Sequence, residues 1–198
     1  MKKIPVGILG ATGMVGQRFI SLLANHPWFE VVAVAASPRS VGKTIADLTI
    51  QAVEDDMEKI AQKARLVFSA LDMEKEDIRR IENAYAALGV VVISNNSAHR
   101  WTKDVPMIMP EINPDHLRLI DAQRKNHGWD RGFVVVKPNC SIQSYVPQIT
   151  ALMDFRPTKV LVTTFQAVSG AGKTLESWPE MNDNVIPFIE GEEEKSEK

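Results

Sequence analysis

Short apolar runs recur along the first two-thirds of the chain. Nearly every position in each run is apolar, which is typical of strands buried on both faces of a parallel sheet. Six runs of this kind predict six strands, at residues 6–9, 31–35, 66–69, 90–93, 106–109 and 133–136.

Segments with helical spacing lie between these runs. Residues 14–25 carry apolar side chains at helical spacing and end at His26-Pro27, and residues 74–88 form a polar helix closed by Gly89. Residues 114–125 complete the set, with Pro114 in the first turn. Strands that alternate with helices predict an α/β fold, a Rossmann-like doubly wound parallel sheet over residues 1–137.

The pattern changes after Pro138. Residues 142–153 are predicted as a helix that Pro147 kinks or delays, and residues 159–167 as a long strand with alternating faces. The segment 190–198 is a charge run. One helix and one strand cannot bury a core, so residues 138–198 are predicted to begin an α+β domain that is incomplete.

Composition narrows the classes of partner. The 198 residues are 44% hydrophobic and 24% charged, and the net charge of −2 gives no reason to expect nucleic acid or an anionic membrane as partner. Apolar runs are too short to span a bilayer, and the first residues lack a signal-peptide pattern. The single cysteine excludes an internal disulfide and fits a reducing compartment. We therefore expect a cytoplasmic location, and no metal site is predicted.

Three glycines follow the first predicted strand in a G-x-x-G-x-x-G pattern. Gly10 permits a tight turn, Gly13 lets a pyrophosphate approach the backbone, and Gly16 lets the following helix pack closely on the strand. The N-terminus of that helix offers N–H donors and a favourable dipole. We predict a dinucleotide site here, lined also by Thr12, Met14 and Val15. The alternative is a tight turn without a ligand.

The second predicted strand ends in a segment that bears on the choice of dinucleotide. NAD sites usually place an acidic residue here to bind the ribose hydroxyls, and this chain has none. Ser37, Arg39 and Ser40 offer hydroxyls and a guanidinium that suit a 2′-phosphate. We therefore predict NADP.

The lone cysteine, Cys140, lies between a predicted strand and a predicted helix. A thiolate at a helix N-terminus is stabilised by the dipole and by free N–H groups. Beside a dinucleotide loop, a reactive cysteine suggests aldehyde oxidation through a thioester. The alternative is a cysteine that serves as a small hydrophobic residue.

Five blocks of sequence now point to one family. They are residues 7–17 (GILGATGMVGQ), 94–97 (SNNS), 110–113 (PEIN), 138–141 (PNCS) and 166–172 (QAVSGAG). With these blocks in this order, the chain resembles aspartate-semialdehyde dehydrogenase of the archaeal and fungal type. The resemblance implies NADP-dependent interconversion of L-aspartate 4-semialdehyde plus phosphate with 4-phospho-L-aspartate, a step toward lysine, methionine and threonine.

The same resemblance implies roles for particular residues. Cys140 becomes the nucleophile, Asn139 helps to orient the acyl group, Gln166 contacts the substrate and Arg100 holds phosphate. Glu192 and Lys195 correspond to an acid and a lysine that contact substrate and phosphate. Ser169, Gly170 and Gly172 are expected to lie against the cofactor.

The chain also departs from the family pattern. The segment after Thr44 is shorter than usual, and the resemblance places the general-base histidine and the carboxylate-binding arginine beyond residue 198, within a domain for substrate and dimerisation. The four histidines present are expected to be surface or loop residues: His26, His99, His116 and His127. The resemblance further implies a homodimer or homotetramer.

Three other readings stay open on the sequence alone. Malonyl-CoA reductase resembles the archaeal type closely, and N-acetyl-glutamyl-phosphate reductase shares the loop and a catalytic cysteine, although residues 138–141 speak against it. A third reading, of another class, is a fragment that binds NADP without catalysis.

Overall fold

A computed structural model describes residues 2–171, 173–189 and 191–197. The chain forms two compact units, Met1–Pro138 and Asn139–Lys198. The first unit contains every strand found in the described residues.

The first unit is built on a seven-stranded sheet. Its strands are β1 (Ile4–Leu9), β2 (Phe29–Ala36), β3 (Thr44–Ile45), β4 (Leu48–Ala52), β5 (Leu66–Ser69), β6 (Val91–Ser94) and β7 (Phe133–Val136). Their order is β3-β4-β2-β1-β5-β6-β7, and every pair is parallel except β3 with β4. The chain order reverses direction across β1, which is a topological switch point.

Helices cover both faces of the sheet. They are α1 (Met14–Leu23), α2 (Met57–Lys63), α3 (Lys75–Ala87) and α4 (Leu119–His127). Alternate residues of the central strands enter two separate apolar clusters, one with α1 and the other with α2 and α3. The prediction of a doubly wound parallel sheet is therefore confirmed.

Several predicted boundaries differ from the structure. The helix predicted at 14–25 ends at Leu23, and the one predicted at 114–125 is a 3₁₀ turn, Pro114–Arg118, followed by α4. The sequence patterns missed β3 and α2, which have only two and seven residues, and β4, whose sequence LTIQA alternates apolar and polar residues instead of forming a continuous apolar run.

The strand predicted at residues 106–109 is wrong. Only a single parallel bridge forms there, between Met107 and Val136. Pro106 and Pro110 flank the segment, and proline has no N–H to donate. A ladder therefore cannot extend beyond one bridge.

The second unit contains two helices, α5 (Ile142–Ala151) and α6 (Glu192–Glu197). The first begins where the sequence predicts and accommodates Pro147 in its interior. The long strand predicted at 159–167 is wrong, because among the described residues no strand pairs with this segment to take up its backbone hydrogen bonds. Leu161 and Phe165 are consequently more than four-fifths exposed.

Within the described part of the chain, no helix is both long and apolar enough to cross a membrane.

Candidate active site

The glycine loop joins β1 to α1, and the surroundings of its three glycines differ. Gly10 has a φ of +81°, and a Cβ there would overlap the carbonyl of Ala70. A Cβ at Gly16 would overlap the backbone of Gly10 and of Ala11. At Gly13 a Cβ would meet one protein atom, the carbonyl oxygen of Gly10 at 3.4 Å. Protein packing therefore requires the first and third glycines, and the second leaves room for a ligand.

The N-terminus of α1 is open to an anion. No side chain caps it, and its first turn contains no acidic residue. Met14 and Val15 in that turn are exposed. The first N–H groups of a helix have no acceptor within the helix, so this end can donate to a phosphate. Gln17 donates from Nε2 to the Thr12 carbonyl at 2.8 Å and holds the loop against the helix.

The segment predicted to bind a 2′-phosphate lies beside the glycine loop. Gly10 and Ala11 both donate to the carbonyl of Ala35, which is one residue from the end of β2. The 3₁₀ turn Pro38–Ser40 follows directly. Ser37 and Arg39 are exposed, and Ser40 is half-buried.

Polar side chains join the carboxyl ends of β5 and β6. Asn96 donates from Nδ2 to Ser69 Oγ at 3.2 Å and to Glu82 Oε1 at 3.0 Å. Ser94 Oγ donates to the same carboxylate oxygen at 2.8 Å. Arg100, four residues after Asn96, is half-buried and donates from Nε to the Lys137 carbonyl at 3.2 Å. The segment after β6 is thereby fixed to both neighbouring strands.

In the second unit, most of the predicted substrate residues form hydrogen bonds with one carboxylate. Glu192 Oε2 accepts hydrogen bonds from Asn139 Nδ2 at 3.1 Å and from Gln166 Nε2 at 3.1 Å. Its other oxygen accepts from Lys195 Nζ at 2.8 Å. Ser141 Oγ, which was not predicted as a site residue, also donates to Oε2 at 3.2 Å.

These hydrogen-bond donors stabilise the negative charge of Glu192. Partial burial by itself raises the pKa of this carboxyl, but the hydrogen bonds from Lys195, Gln166 and Asn139 outweigh burial and lower the pKa to about 2. Glu192 is therefore a carboxylate at neutral pH, and its donors are oriented toward it.

Cys140 stands at the edge of this group. Its side chain is exposed, and Sγ donates to Asn139 Oδ1 at 3.2 Å. The helix α5 begins two residues later with Ser141 as its N-cap, and no side chain caps that end. The thiol is therefore accessible and lies next to a helix N-terminus.

The small-residue segment predicted to face the cofactor is less informative. Val168–Ala171 form a 3₁₀ turn in which Ser169 is exposed. Around Gly170 there is no heavy atom within 4 Å of a Cβ position. Gly172 lies outside the described residues.

Comparison with known proteins identifies the family. The sequence profile described as "Semialdehyde dehydrogenase, NAD binding domain" matches residues 5–120. The chain belongs to the semialdehyde dehydrogenase family. Proteins named aspartate-semialdehyde dehydrogenase from Archaeoglobus fulgidus and Schizosaccharomyces pombe are 45% and 40% identical to it over 98% and 97% of its length.

A solved structure of a semialdehyde dehydrogenase agrees with this assignment. The crystal structure of aspartate-semialdehyde dehydrogenase with NADP from Candida albicans is 33% identical, covers 98% of this chain and superposes with a TM-score of 0.79. The chain spans 59% of the length of the Archaeoglobus relative and 58% of that crystal chain.

Two buried residues of the first unit went unrecognised in the sequence. His99 lies in a loop as expected, but it is 1% exposed rather than on the surface. Glu82 occupies a position on α3 that is fully buried. The apolar spacing of that helix, with Ile78, Ile81 and Tyr85 facing inward, places Glu82 on its buried side and is the signal that marks it.

Proposed function

We propose that the protein interconverts L-aspartate 4-semialdehyde and phosphate with 4-phospho-L-aspartate, using NADP and a thioester on Cys140. The observation that carries this proposal is the group around Glu192. Asn139, Gln166 and Lys195, three residues that the family resemblance assigned to substrate, converge on one carboxylate beside an exposed thiol. The names of the archaeal and fungal relatives support the choice of substrate.

We propose NADP as the cofactor on the first unit. The open N-terminus of α1 and the space at Gly13 fit a pyrophosphate, and the exposed guanidinium of Arg39 fits a 2′-phosphate. Bound NADP⁺ supplies a hydride acceptor. The C. albicans relative was solved with NADP.

The chain's own residues account for the covalent steps in this proposal. The Cys140 thiolate adds to the aldehyde carbon, and the carbonyl oxygen takes up the electron pair and becomes an alkoxide. When the hydride leaves that carbon, the C=O bond re-forms and a thioester remains on Sγ. A phosphate oxygen, held by Arg100 in this proposal, then attacks the thioester, and the thiolate leaves as the acyl phosphate forms.

The other residues position these groups. Asn139 contacts the thiol through Oδ1 and the carboxylate through Nδ2, so it fixes the direction of Sγ relative to Glu192. Lys195 forms an ion pair with that carboxylate at 2.8 Å, and its positive charge suits an anionic substrate. We propose small-molecule partners only, a cytoplasmic location and a homo-oligomer.

The test is an assay of NADP reduction by aspartate semialdehyde in the presence of phosphate. It is run on this chain and on the complete product of its gene, with Cys140→Ala and with Gln148→Ala as control. Gln148 is exposed on the same helix as the N-cap Ser141. We expect Cys140→Ala to lose at least a thousandfold in rate and the control to keep its rate.

Three outcomes would redirect the assignment. Turnover by Cys140→Ala at the control rate would exclude the thioester route. Selective turnover of a coenzyme A thioester would favour the malonyl-CoA reductase reading. Tight NADP binding without turnover in the complete gene product would favour a binding protein. Mass spectrometry of the acyl adduct on Cys140 separates slow deacylation from absence of chemistry.

A further inference from the structure

Two buried polar atoms face each other beneath the segment that follows β6. Glu82 Oε2 and His99 Nε2 are 3.7 Å apart, and the two side chains are 0% and 1% exposed. Among the described residues, neither atom has a hydrogen-bond partner. A buried polar atom without a partner costs about 1–3 kcal/mol, so this pair calls for a physical reason.

The remaining polar atoms of both side chains are engaged. Glu82 Oε1 accepts from Ser94 Oγ and Asn96 Nδ2, and His99 Nδ1 lies 3.2 Å from Thr102 Oγ1. One carboxyl oxygen and one ring nitrogen are therefore left, 3.7 Å apart. A displacement of about 1 Å brings them to hydrogen-bond distance.

The surroundings favour uncharged forms of both groups. Burial raises the pKa of Glu82, and hydrogen bonds from Ser69, Asn96 and Ser94 offset part of that rise. Burial lowers the pKa of His99 to about 4, and the positive charge of Arg79 contributes, while an interaction of the ring with the Arg79 backbone offsets part of the fall. The other charged or titratable groups that act on His99 are Asp104, which raises its pKa, and His127, which lowers it.

We propose that Glu82 and His99 share one proton as a neutral pair, and that this pair positions residues 95–100. In this arrangement the protonated Glu82 Oε2 donates to His99 Nε2, and the His99 Nδ1–H donates to Thr102 Oγ1. Every polar atom of both side chains then has a partner, which an isolated carboxylate beside a neutral ring does not achieve.

Glu82 and Arg79 together tie α3 to the end of β6 and to the segment after it. Glu82 holds Ser94 and Asn96 through Oε1 and His99 through Oε2, while Arg79, one turn earlier on the same helix, donates to the Ala98 carbonyl at 2.6 Å. The segment so held ends at Arg100. The functional meaning of this positioning rests on the proposed role of Arg100 in binding phosphate.

Proton counting gives the expected pH dependence. The folded pair keeps one proton, whereas the unfolded chain loses the glutamate proton near pH 4.3 and the histidine proton near pH 6.5. Above about pH 6.5 the folded state therefore binds one proton more than the unfolded state. The folded-to-unfolded ratio should fall up to about tenfold per pH unit there, until the folded carboxyl ionises.

The decisive variant is Glu82→Gln, with Glu82→Met as the matched apolar variant. A glutamine amide accepts from Ser94 and Asn96 and donates to His99, as the protonated acid does. We expect Glu82→Gln to unfold at pH 6 with a urea midpoint at least as high as that of the unmodified chain, because its amide needs no added proton. The variant should also lose the decline in stability attributed to the pair above pH 6.5. Glu82→Met, which cannot bond to Ser94, Asn96 or His99, should unfold at lower urea than Glu82→Gln at every pH.

One further measurement holds even if a variant of Glu82 fails to fold, and a second one compares the folded variants. In the unmodified chain, long-range ¹H–¹⁵N NMR correlations of His99, assigned with His99→Gln, should show one protonated ring nitrogen, Nδ1, from pH 5 to pH 8. Hydrogen exchange of residues 95–100 should be unchanged in Glu82→Gln and at least tenfold faster in Glu82→Met.

Clear results would overturn the proposal. A doubly protonated His99 ring at pH 6, or Glu82→Gln as unstable as Glu82→Met, would exclude the neutral pair. Unaltered exchange in a folded Glu82→Met would exclude the positioning role. None of these measurements uses NADP, phosphate or turnover, so a chain that binds no NADP would contradict the proposed function and leave this inference standing.

Discussion

At the scale of single residues, the loop after β1 separates what the fold needs from what a ligand needs. Gly16 is enclosed by the backbone of Gly10 and Ala11, and Gly13 has a φ of −72° that any residue can adopt. Substitution should therefore impair folding at Gly16 and ligand binding at Gly13.

We predict that Gly16→Ala lowers stability and that Gly13→Ala lowers NADP affinity. The first change forces backbone atoms apart and should cost about 2 kcal/mol or more in the free energy of unfolding. The second should leave the unfolding midpoint nearly unchanged and weaken NADP binding at least tenfold. Thermal unfolding and fluorescence titration measure the two effects, and equal loss of affinity without loss of stability at Gly16 would contradict the packing argument.

Glu192 gives a second prediction at this scale. Its pKa is lowered to about 2, so the stability it contributes is fully present above its unfolded pKa near 4.3 and is lost as the pH falls through about 2. Hydrogen exchange of residues 139–151 should therefore be slower in the unmodified chain than in Glu192→Gln at pH 6, and the difference should vanish near pH 2. A difference that persists unchanged at pH 2 would contradict this assignment of charge.

At the scale of elements, hydrophobic patterning predicted the strands that are buried on both faces. The strands at 66–69 and 133–136 match the structure to the residue, because continuous apolar runs between polar segments leave few alternatives. The runs at 106–109 and 159–167 are just as apolar or as regular, and they are not strands. A strand requires a neighbouring strand whose backbone donors and acceptors are unpaired. The sequence of the segment alone does not reveal whether such a neighbour exists.

In the candidate site too, some residues could be predicted from the local sequence and others could not. The glycine pattern and Cys140 were visible because their chemistry is local to a few residues. The position of Glu192, in a short acidic helix more than fifty residues from Asn139, came from family resemblance and not from spacing. The buried pair Glu82 and His99 was missed because no short motif links a helix face to a loop histidine.

Gln123 supplies a prediction for the element α4. Its buried amide accepts from Val134 N–H at 2.7 Å and donates to the Val134 and Asp104 carbonyls. Gln123→Leu leaves these backbone groups without partners and should cost about 3 kcal/mol in the free energy of unfolding. Asn126→Ala, an exposed change on the same helix, should cost less than about 1 kcal/mol, and urea titrations compare the two. Equal costs would show that the amide of Gln123 contributes no more than a surface contact.

At the scale of the whole molecule, the buried apolar side chains among the described residues all belong to the first unit. No member of either hydrophobic cluster lies beyond Val136, while the buried residues described in the second unit are Asn139 and Ser141. Large apolar side chains in the second unit are exposed, among them Phe155, Leu161, Phe165 and Phe188.

We predict that residues 1–138 fold without the remainder of the chain. The isolated unit should unfold cooperatively, with a midpoint within a few degrees of that of the full chain, and it should bind NADP with similar affinity. Calorimetry and fluorescence titration test this, and a segment of residues 139–198 made alone should lack a cooperative transition. Loss of the transition in residues 1–138 would show that the second unit is needed for folding.

The outer edge of β7 carries one more consequence. Its outward-facing groups at Val134 are bonded to Gln123, and those at Val136 are bonded to the Pro106 carbonyl and the Ile108 N–H. At the opposite end of the sheet, β3 has two residues. An exposed strand edge is a template on which another chain can add a strand, and such addition is a common start of aggregation. This sheet offers almost no such template, so self-association of the first unit through its strand edges is disfavoured, and any stable contact between copies must use its helices and loops.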